Sequence, residues 1–280
     1  MRLFAPILVA AFMVVSVAGT ALAVKGPQAV EFTIHNLSAN MGGNPQDPFV
    51  DNQYATNEEE ICIFCHTPHG GTLDGPLWNR QIPAAGSFTH YNSATLTAAA
   101  GNGARPVSKE SLLCLSCHDG SIATNRIINT NNSNPTGQPE NQMQGPGIAV
   151  DIVSGFGVPS ARIGESASNV NGTGDLSDDH PISFSYFDAY TEESTQPGGG
   201  GLRAPGAPEL ADVRFFGAGA VAGGMRVECS SCHDPHVAYD TDLEAWYGPI
   251  PGGISADPAY APFLITPNTG SALCLACHVK

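Results

Sequence analysis

All eight cysteines of the chain fall in pairs spaced Cys-x-x-Cys, and histidine follows each pair: Cys62-Ile63-Phe64-Cys65-His66, Cys114-Leu115-Ser116-Cys117-His118, Cys229-Ser230-Ser231-Cys232-His233 and Cys274-Leu275-Ala276-Cys277-His278. On one turn of helix, positions i and i+3 share a face and position i+4 lies beside them. Two thiols so placed can bond the two vinyl groups of one porphyrin while the histidine ring reaches the iron, which is the chemistry of c-type haem attachment. A zinc ribbon or a disulfide framework uses the same Cys spacing but makes no demand on the residue after the second Cys. The spacing therefore predicts four covalently bound haem c groups: haem 1 on Cys62 and Cys65, haem 2 on Cys114 and Cys117, haem 3 on Cys229 and Cys232, and haem 4 on Cys274 and Cys277. Their proximal iron ligands are His66, His118, His233 and His278.

Nine histidines are present, so His35, His69, His90, His180 and His236 remain as candidates for the opposite iron faces. Five candidates can saturate four irons, and six-coordinate iron has no vacant position for a substrate. The inventory favours an electron-transfer protein, not an enzyme, and no catalytic residue is assigned. A multihaem reductase of small oxyanions would need an open haem face. Met41, Met143 and Met225 are the weaker alternative ligands.

The motifs form two pairs with shared flanks. Cys65-His66-Thr67-Pro68-His69 is echoed by Cys232-His233-Asp234-Pro235-His236, and Leu113-Cys114-Leu115 is echoed by Leu273-Cys274-Leu275. His69 and His236 thus occupy matching places, each behind a proline that restricts the backbone. His35 precedes the first pair, and His180, in Asp178-Asp179-His180-Pro181-Ile182, precedes the second. His90, in Phe88-Thr89-His90-Tyr91, has no counterpart and is read as the spare. If His35 serves haem 1 and His180 serves haem 3, two schemes remain for His69 and His236. Either each stays in its own unit, on haems 2 and 4, or His236 serves haem 2 while His69 serves haem 4 of a neighbouring protomer. The second scheme leaves an isolated protomer one ligand short, and a head-to-tail contact that does not close on itself builds a filament.

The elements that position these residues are expected to be few. The chain of 280 residues holds 32 Gly and 22 Pro, which interrupt helices and strands, and only 13% of it is charged. The fold class predicted is a mostly irregular multihaem c-type cytochrome, with short helices at the motifs, a few short strands and the haem stack as core. Glu58 to Glu60 behind Asn57, and Ser108 before Lys109, read as helix starts. Alternation over Ala29 to Ile34 reads as a strand, and Ile148 to Val153 and Ile182 to Phe187 are further strand candidates. The expected organisation is a cleaved signal peptide over 1–23, an N-terminal dihaem unit over 24–123, a Gly/Asn/Pro-rich connecting region over 124–224 that carries a distal His, and a C-terminal dihaem unit over 225–280.

Arg2, the apolar run Leu3 to Val17 and the small residues Ala21-Leu22-Ala23 have the pattern of a secretory signal, with a retained membrane anchor as the alternative. Export by the Sec route to the cell surface or exterior, or else to the periplasm, fits the compartment in which haem c is attached. The formal charge of -15 with 11 Lys and Arg leaves no basic patch for nucleic acid. Expected partners are other copies of the chain and redox proteins or extracellular acceptors such as metal oxides, with no membrane span in the mature chain.

His35-Asn36-Leu37-Ser38, Cys62 to Gly70, Pro76-Leu77-Trp78-Asn79, Cys114 to Gly120 and Asp179-His180-Pro181-Ile182-Ser183 together resemble the extracellular tetrahaem cytochromes of metal-reducing bacteria that polymerise into conductive filaments. The resemblance runs from His35 to His278 and is thinnest between the two motif pairs. It implies iron with two His ligands, a continuous haem stack, little regular structure and one iron ligand donated across the subunit boundary. By motif the donor is His69, which favours the second scheme and long-range extracellular electron transfer. A monomeric periplasmic electron shuttle would use the first scheme.

Overall fold

A computed structural model describes residues 26–38, 54–55, 58–71, 77–93, 96, 105–119, 127–129, 143–144, 163, 174–241, 253 and 255–279. The expected signal peptide and the strand candidate Ile148 to Val153 lie outside these residues. The rest is mostly loop, punctuated by two longer helices, α1 (Lys109–His118) and α2 (Tyr186–Ser194), a short C-terminal helix (Ala272–Cys277) and several 3-10 turns. Three two-residue ladders join distant segments: β1 (Tyr54–Ala55) with β3 (Met143–Gln144), β2 (Thr89–His90) in parallel with β4 (Asp175–Leu176), and β5 (Phe184–Ser185) with β6 (Arg226–Val227).

The two motif pairs fold alike. The first motif of each pair starts in a 3-10 turn, Ile61–Phe64 or Cys229–Ser231, and the second lies on α-helix, α1 or Ala272–Cys277. After each 3-10 turn the proximal His forms an isolated bridge to an apolar residue, His66 to Trp78 and His233 to Leu264. Ser108 occupies the N-cap position of α1, but its hydroxyl makes no capping bond and accepts from Arg226 Nη2 at 2.6 Å instead. Before Cys62 the helical turn begins only at Ile61, after the three glutamates. Residues Ile182 to Phe187 hold β5 and then turn directly into α2, whose start Ser185 caps by accepting from the Asp188 amide at 3.1 Å.

The strand expected over Ala29 to Ile34 is instead a 3-10 turn, Val30–Phe32. Thr33 Oγ1 donates to the Val30 carbonyl at 2.9 Å and Asn36 Nδ2 donates to the Glu31 carbonyl at 3.0 Å. These local bonds curl the segment and compete with a ladder. The stretch before it runs beside 236–238, with the Ala29 amide donating to the His236 carbonyl at 2.9 Å and the Ala238 amide to the Pro27 carbonyl at 2.8 Å.

Side-chain burial is divided among small clusters. Phe184, Tyr186, Ala189, Leu210, Met225 and Val227 form one. Phe88, Val107, Leu112, Leu115 and Leu176 form a second around α1, and Val213, Leu264, Leu273 and Ala276 a third beneath the last motif. The described end of the connecting region is tied to that motif: the Arg203 amide donates to the Cys277 carbonyl at 2.8 Å, and Tyr186 Oη donates to the carbonyls of Arg203 and Cys277 at 2.8 and 3.2 Å. Among the described residues no helix is long and apolar enough to cross a membrane.

Candidate functional site

None of the eight cysteines is in a disulfide, and their sulfurs meet across motifs. Burial pushes the Cys65 thiol up to about 12, and Cys117 of the second motif adds to the effect. The interaction of Cys114 with Cys229 of the third motif raises the Cys114 thiol, as burial does, and lowers that of Cys229 against the upward push of burial. Cys277 is likewise pushed up to about 12 by burial, with a further push from Cys232 of the third motif. Cysteines of the first and second, second and third, and third and fourth motifs thus act on one another.

Among the described residues two pairs of histidine rings meet. His66 and His236 lie with ring planes 14° apart and centres 6.4 Å apart. His118 and His35 lie at 86°, with centres 6.0 Å apart. The His180 imidazole is pushed below its ordinary pKa, first by the protein packed around it and further by nearby His278. Two imidazoles bound on opposite sides of one metal ion through bonds of about 2.0–2.1 Å have ring centres about 6 Å apart. Both measured separations fit an iron between the rings. Among the described residues no group of three or more His, Cys, Asp or Glu converges as a cage for a bare metal ion. Opposed pairs are what the two axial positions of a planar macrocycle require.

The hydrogen bonds of these rings suit the same role. His236 Nδ1 lies 2.7 Å from Asp234 Oδ1, His233 Nδ1 lies 2.9 Å from the Pro262 carbonyl, and His180 Nδ1 lies 3.0 Å from the Pro181 carbonyl. Each acceptor draws the ring proton to Nδ1 and leaves the Nε2 lone pair for a metal. Burial holds His35 down to about 3, and His118 beside it lowers it further, so His35 is a neutral imidazole at physiological pH. Asp234 also binds Arg214 Nη2 at 3.4 Å. Burial pushes its carboxyl up, but the His236 hydrogen bonds and Arg214 outweigh that and leave it below its ordinary value.

The geometry departs from the expected distal assignments in a regular way. His35 was expected opposite His66 and stands against His118. His236 was expected opposite His118 and stands against His66. His180 was expected opposite His233 and stands near His278. The pairing of 27–29 with 236–238 holds the segment that carries His35 beside the turn that carries His236. Among the described residues no other histidine ring meets that of His233 or that of His278.

His69 and His90, the two remaining histidines, have opposite environments. His69 is exposed, on a turn fixed by its backbone: Thr67 Oγ1 and Asn129 Nδ2 donate to its carbonyl at 2.9 and 3.2 Å, and Gly70 closes the turn at a left-handed φ of 71°. His90 is 2% exposed on β2, and burial, with the adjacent Arg105 cation, lowers it to about 4.

Sequence reasoning missed Asp234 as the residue that orients His236. The Asp-Pro-His order, in which an Asp side chain hydrogen-bonds the backbone two residues on, was the available signal. Trp78, edge-on to His66 at 5.6 Å with Nε1 donating to Ser116 Oγ at 3.2 Å, was noted only as part of a shared string. No family model and no curated protein matches the chain.

Proposed function

We propose that the chain is a tetrahaem c-type cytochrome that carries electrons along a haem series and polymerises head to tail outside the cell. The observation that carries this reading is the opposition of His66 with His236 and of His118 with His35 at separations that fit a shared iron. Haem c bound at the four motifs would supply one-electron ferric/ferrous couples of low potential, as expected for iron with two nitrogen ligands. The protein's part is to clamp each iron from both sides, keep small molecules off it and hold successive attachment points together. The mutual electrostatic influence of Cys65 and Cys117, of Cys114 and Cys229 and of Cys232 and Cys277 supports a path in the order haem 1, 2, 3, 4.

The second unit is read by the pairing of the first, in which the His35 and His118 rings meet and to which the electrostatic influence of His278 on His180 corresponds. The histidine that precedes each unit serves its second haem, His35 with His118 and His180 with His278. The Pro-His of the second unit serves the first haem of the unit before it, His236 with His66. Repeating that step assigns His69 to the haem of His233 in a neighbouring copy, instead of the haem 4 expected from sequence. The exposed His69 turn supports this reading.

Cryo-electron microscopy of haem-loaded protein shed by the native cells tests it. The expected result is a filament with four low-spin haems per subunit and continuous density from His69 to the iron of a neighbouring His233. Discrete particles with four low-spin haems would establish the monomeric shuttle instead. Five-coordinate iron in the native assembly together with turnover would establish a reductase.

A further inference from the structure

Charged side chains of opposite sign are buried at successive junctions between the motif turns. Arg80, with 0% of its surface exposed, lies between the first and second motifs. Its Nη2 donates to the Ser116 carbonyl at 3.4 Å, and the guanidinium hydrogen-bonds the Cys117 sulfur and acts electrostatically on Cys65. Glu228, whose side chain is 0% exposed, lies between the second and third motifs. Its carboxylate accepts from Ser111 Oγ at 2.6 Å, Ser183 Oγ at 2.9 Å, Arg226 Nε at 3.3 Å and the Ser231 amide. Ser111 Oγ in turn accepts from the Cys229 amide at 3.1 Å, which links the carboxylate to both turns.

Charges in these positions act on the iron couples. Reducing a ferric haem adds one negative charge, which a buried cation favours and a buried anion opposes, and low local polarizability strengthens both effects. Arg226, whose side chain is 34% exposed, and the partly exposed Arg105, on which Glu228 also acts, offset the carboxylate in part, because water screens both cations more than the buried carboxylate. We infer that Arg80 raises the reduction potentials of haems 1 and 2 and Glu228 lowers those of haems 2 and 3. The series thereby gains a built-in slope in which an electron is held more tightly at haem 1 than at haem 3. No bond forms or breaks; one iron is oxidised as the next is reduced. This inference rests on the haem reading above.

The test is a spectroelectrochemical titration of the full haem-loaded chain and four variants, with intact mass measured first. A mass without four haems overturns the haem reading itself, separately from the slope. In Arg80→Gln two of the four midpoints are expected to fall, and in Glu228→Gln two are expected to rise. Each shift is expected to be at least a tenfold change in the oxidised-to-reduced ratio at fixed potential, about 59 mV for one electron. Arg226→Gln, at a partly exposed site that tolerates substitution better, is expected to lower the two midpoints that Glu228→Gln raises. Arg80→Lys keeps the charge and is expected to keep the midpoints. Unchanged midpoints in Arg226→Gln and in either buried variant, equal movement of all four, or a shift in Arg80→Lys as large as in Arg80→Gln overturns the inference.

Discussion

His236 lies 6.4 Å from His66 while its Nδ1 is held 2.7 Å from Asp234 Oδ1, so one carboxylate orients a ring brought to the first motif from the opposite end of the chain. Replacing His236 with alanine is expected to convert one of four haem irons from low-spin to high-spin, read by electron paramagnetic resonance and the visible spectrum. Asp234→Ala leaves the ring but removes its acceptor, and loss of such a partner typically costs about 10–100-fold in metal affinity. The Asp234 pKa is held below its ordinary 3.8, so the wild-type contact persists as pH falls until the carboxylate is protonated below that value. The Asp234→Ala protein should therefore show its high-spin iron at neutral pH, where the wild type shows none.

The contact between His35 and His118 separates two wirings of the first unit. A low-spin haem 1 together with a high-spin haem 2 in His35→Ala is the expected outcome, resolved by resonance assignment with selectively labelled Cys62 and Cys114. The reverse pattern would restore the assignment that sequence order suggests.

His90 provides a contrast because it is buried but has no proximal histidine beside it. His90→Gln is expected to leave all four irons low-spin. The buried ring resists protonation down to about 4, whereas the unfolded chain takes up its proton near 6.5. Its folded-state pKa is lowered, so its contribution is complete above 6.5 and is lost as pH falls toward 4. Chemical denaturation of the haem-loaded protein across that interval should show a shallower pH dependence in His90→Gln than in the wild type.

Much of the local site is legible in the sequence, and the wiring is not. The spacing of Cys, Cys and His specifies a turn, the matched flanks of Cys65-His66 and Cys232-His233 specify a repeat, and Ser108 marks the start of α1. Which distal ring meets which proximal ring depends on how the N-terminal segment lies along 236–238. That contact is made by backbone groups of Pro27, Ala29, His236 and Ala238, which leave no signature in side-chain types. The same holds for Glu228, whose partners Ser111 and Ser183 are remote in sequence. The strand misread over Ala29 to Ile34 shows the opposite failure, in which local hydrogen bonds of Thr33 and Asn36 override a sound alternation of residue types.

Asn79 fixes the first motif from below. It is 0% exposed, its Nδ2 donates to the carbonyls of Ile63 and Asn129 at 2.7 and 2.8 Å, and its Oδ1 accepts from the Asn129 amide at 2.8 Å. Asn79→Leu keeps the volume but strands three half-buried backbone groups, each worth up to about 1–3 kcal/mol when left unsatisfied. A loss of about 3 kcal/mol or more in denaturant titration is expected, with the spectrum of haem 1 the first to change. A loss under about 1 kcal/mol would mean that covalent attachment at Cys62 and Cys65, not Asn79, holds the turn.

His69 decides whether the unit is finished by its own chain or by another. Its turn is braced by Asn129 from below while its ring projects outward, and His90, the other uncommitted histidine, is enclosed on β2. In His69→Ala, filaments are expected to be absent in negative-stain micrographs, and the dispersed protein should carry three low-spin irons and one high-spin iron on His233. Added free imidazole should return that iron to low spin without restoring filaments, because it supplies the ligand but not the covalent link between copies. Filaments in His69→Ala, or four low-spin irons in its dispersed form without imidazole, would place the ligand of the His233 iron elsewhere, with His90 the remaining candidate.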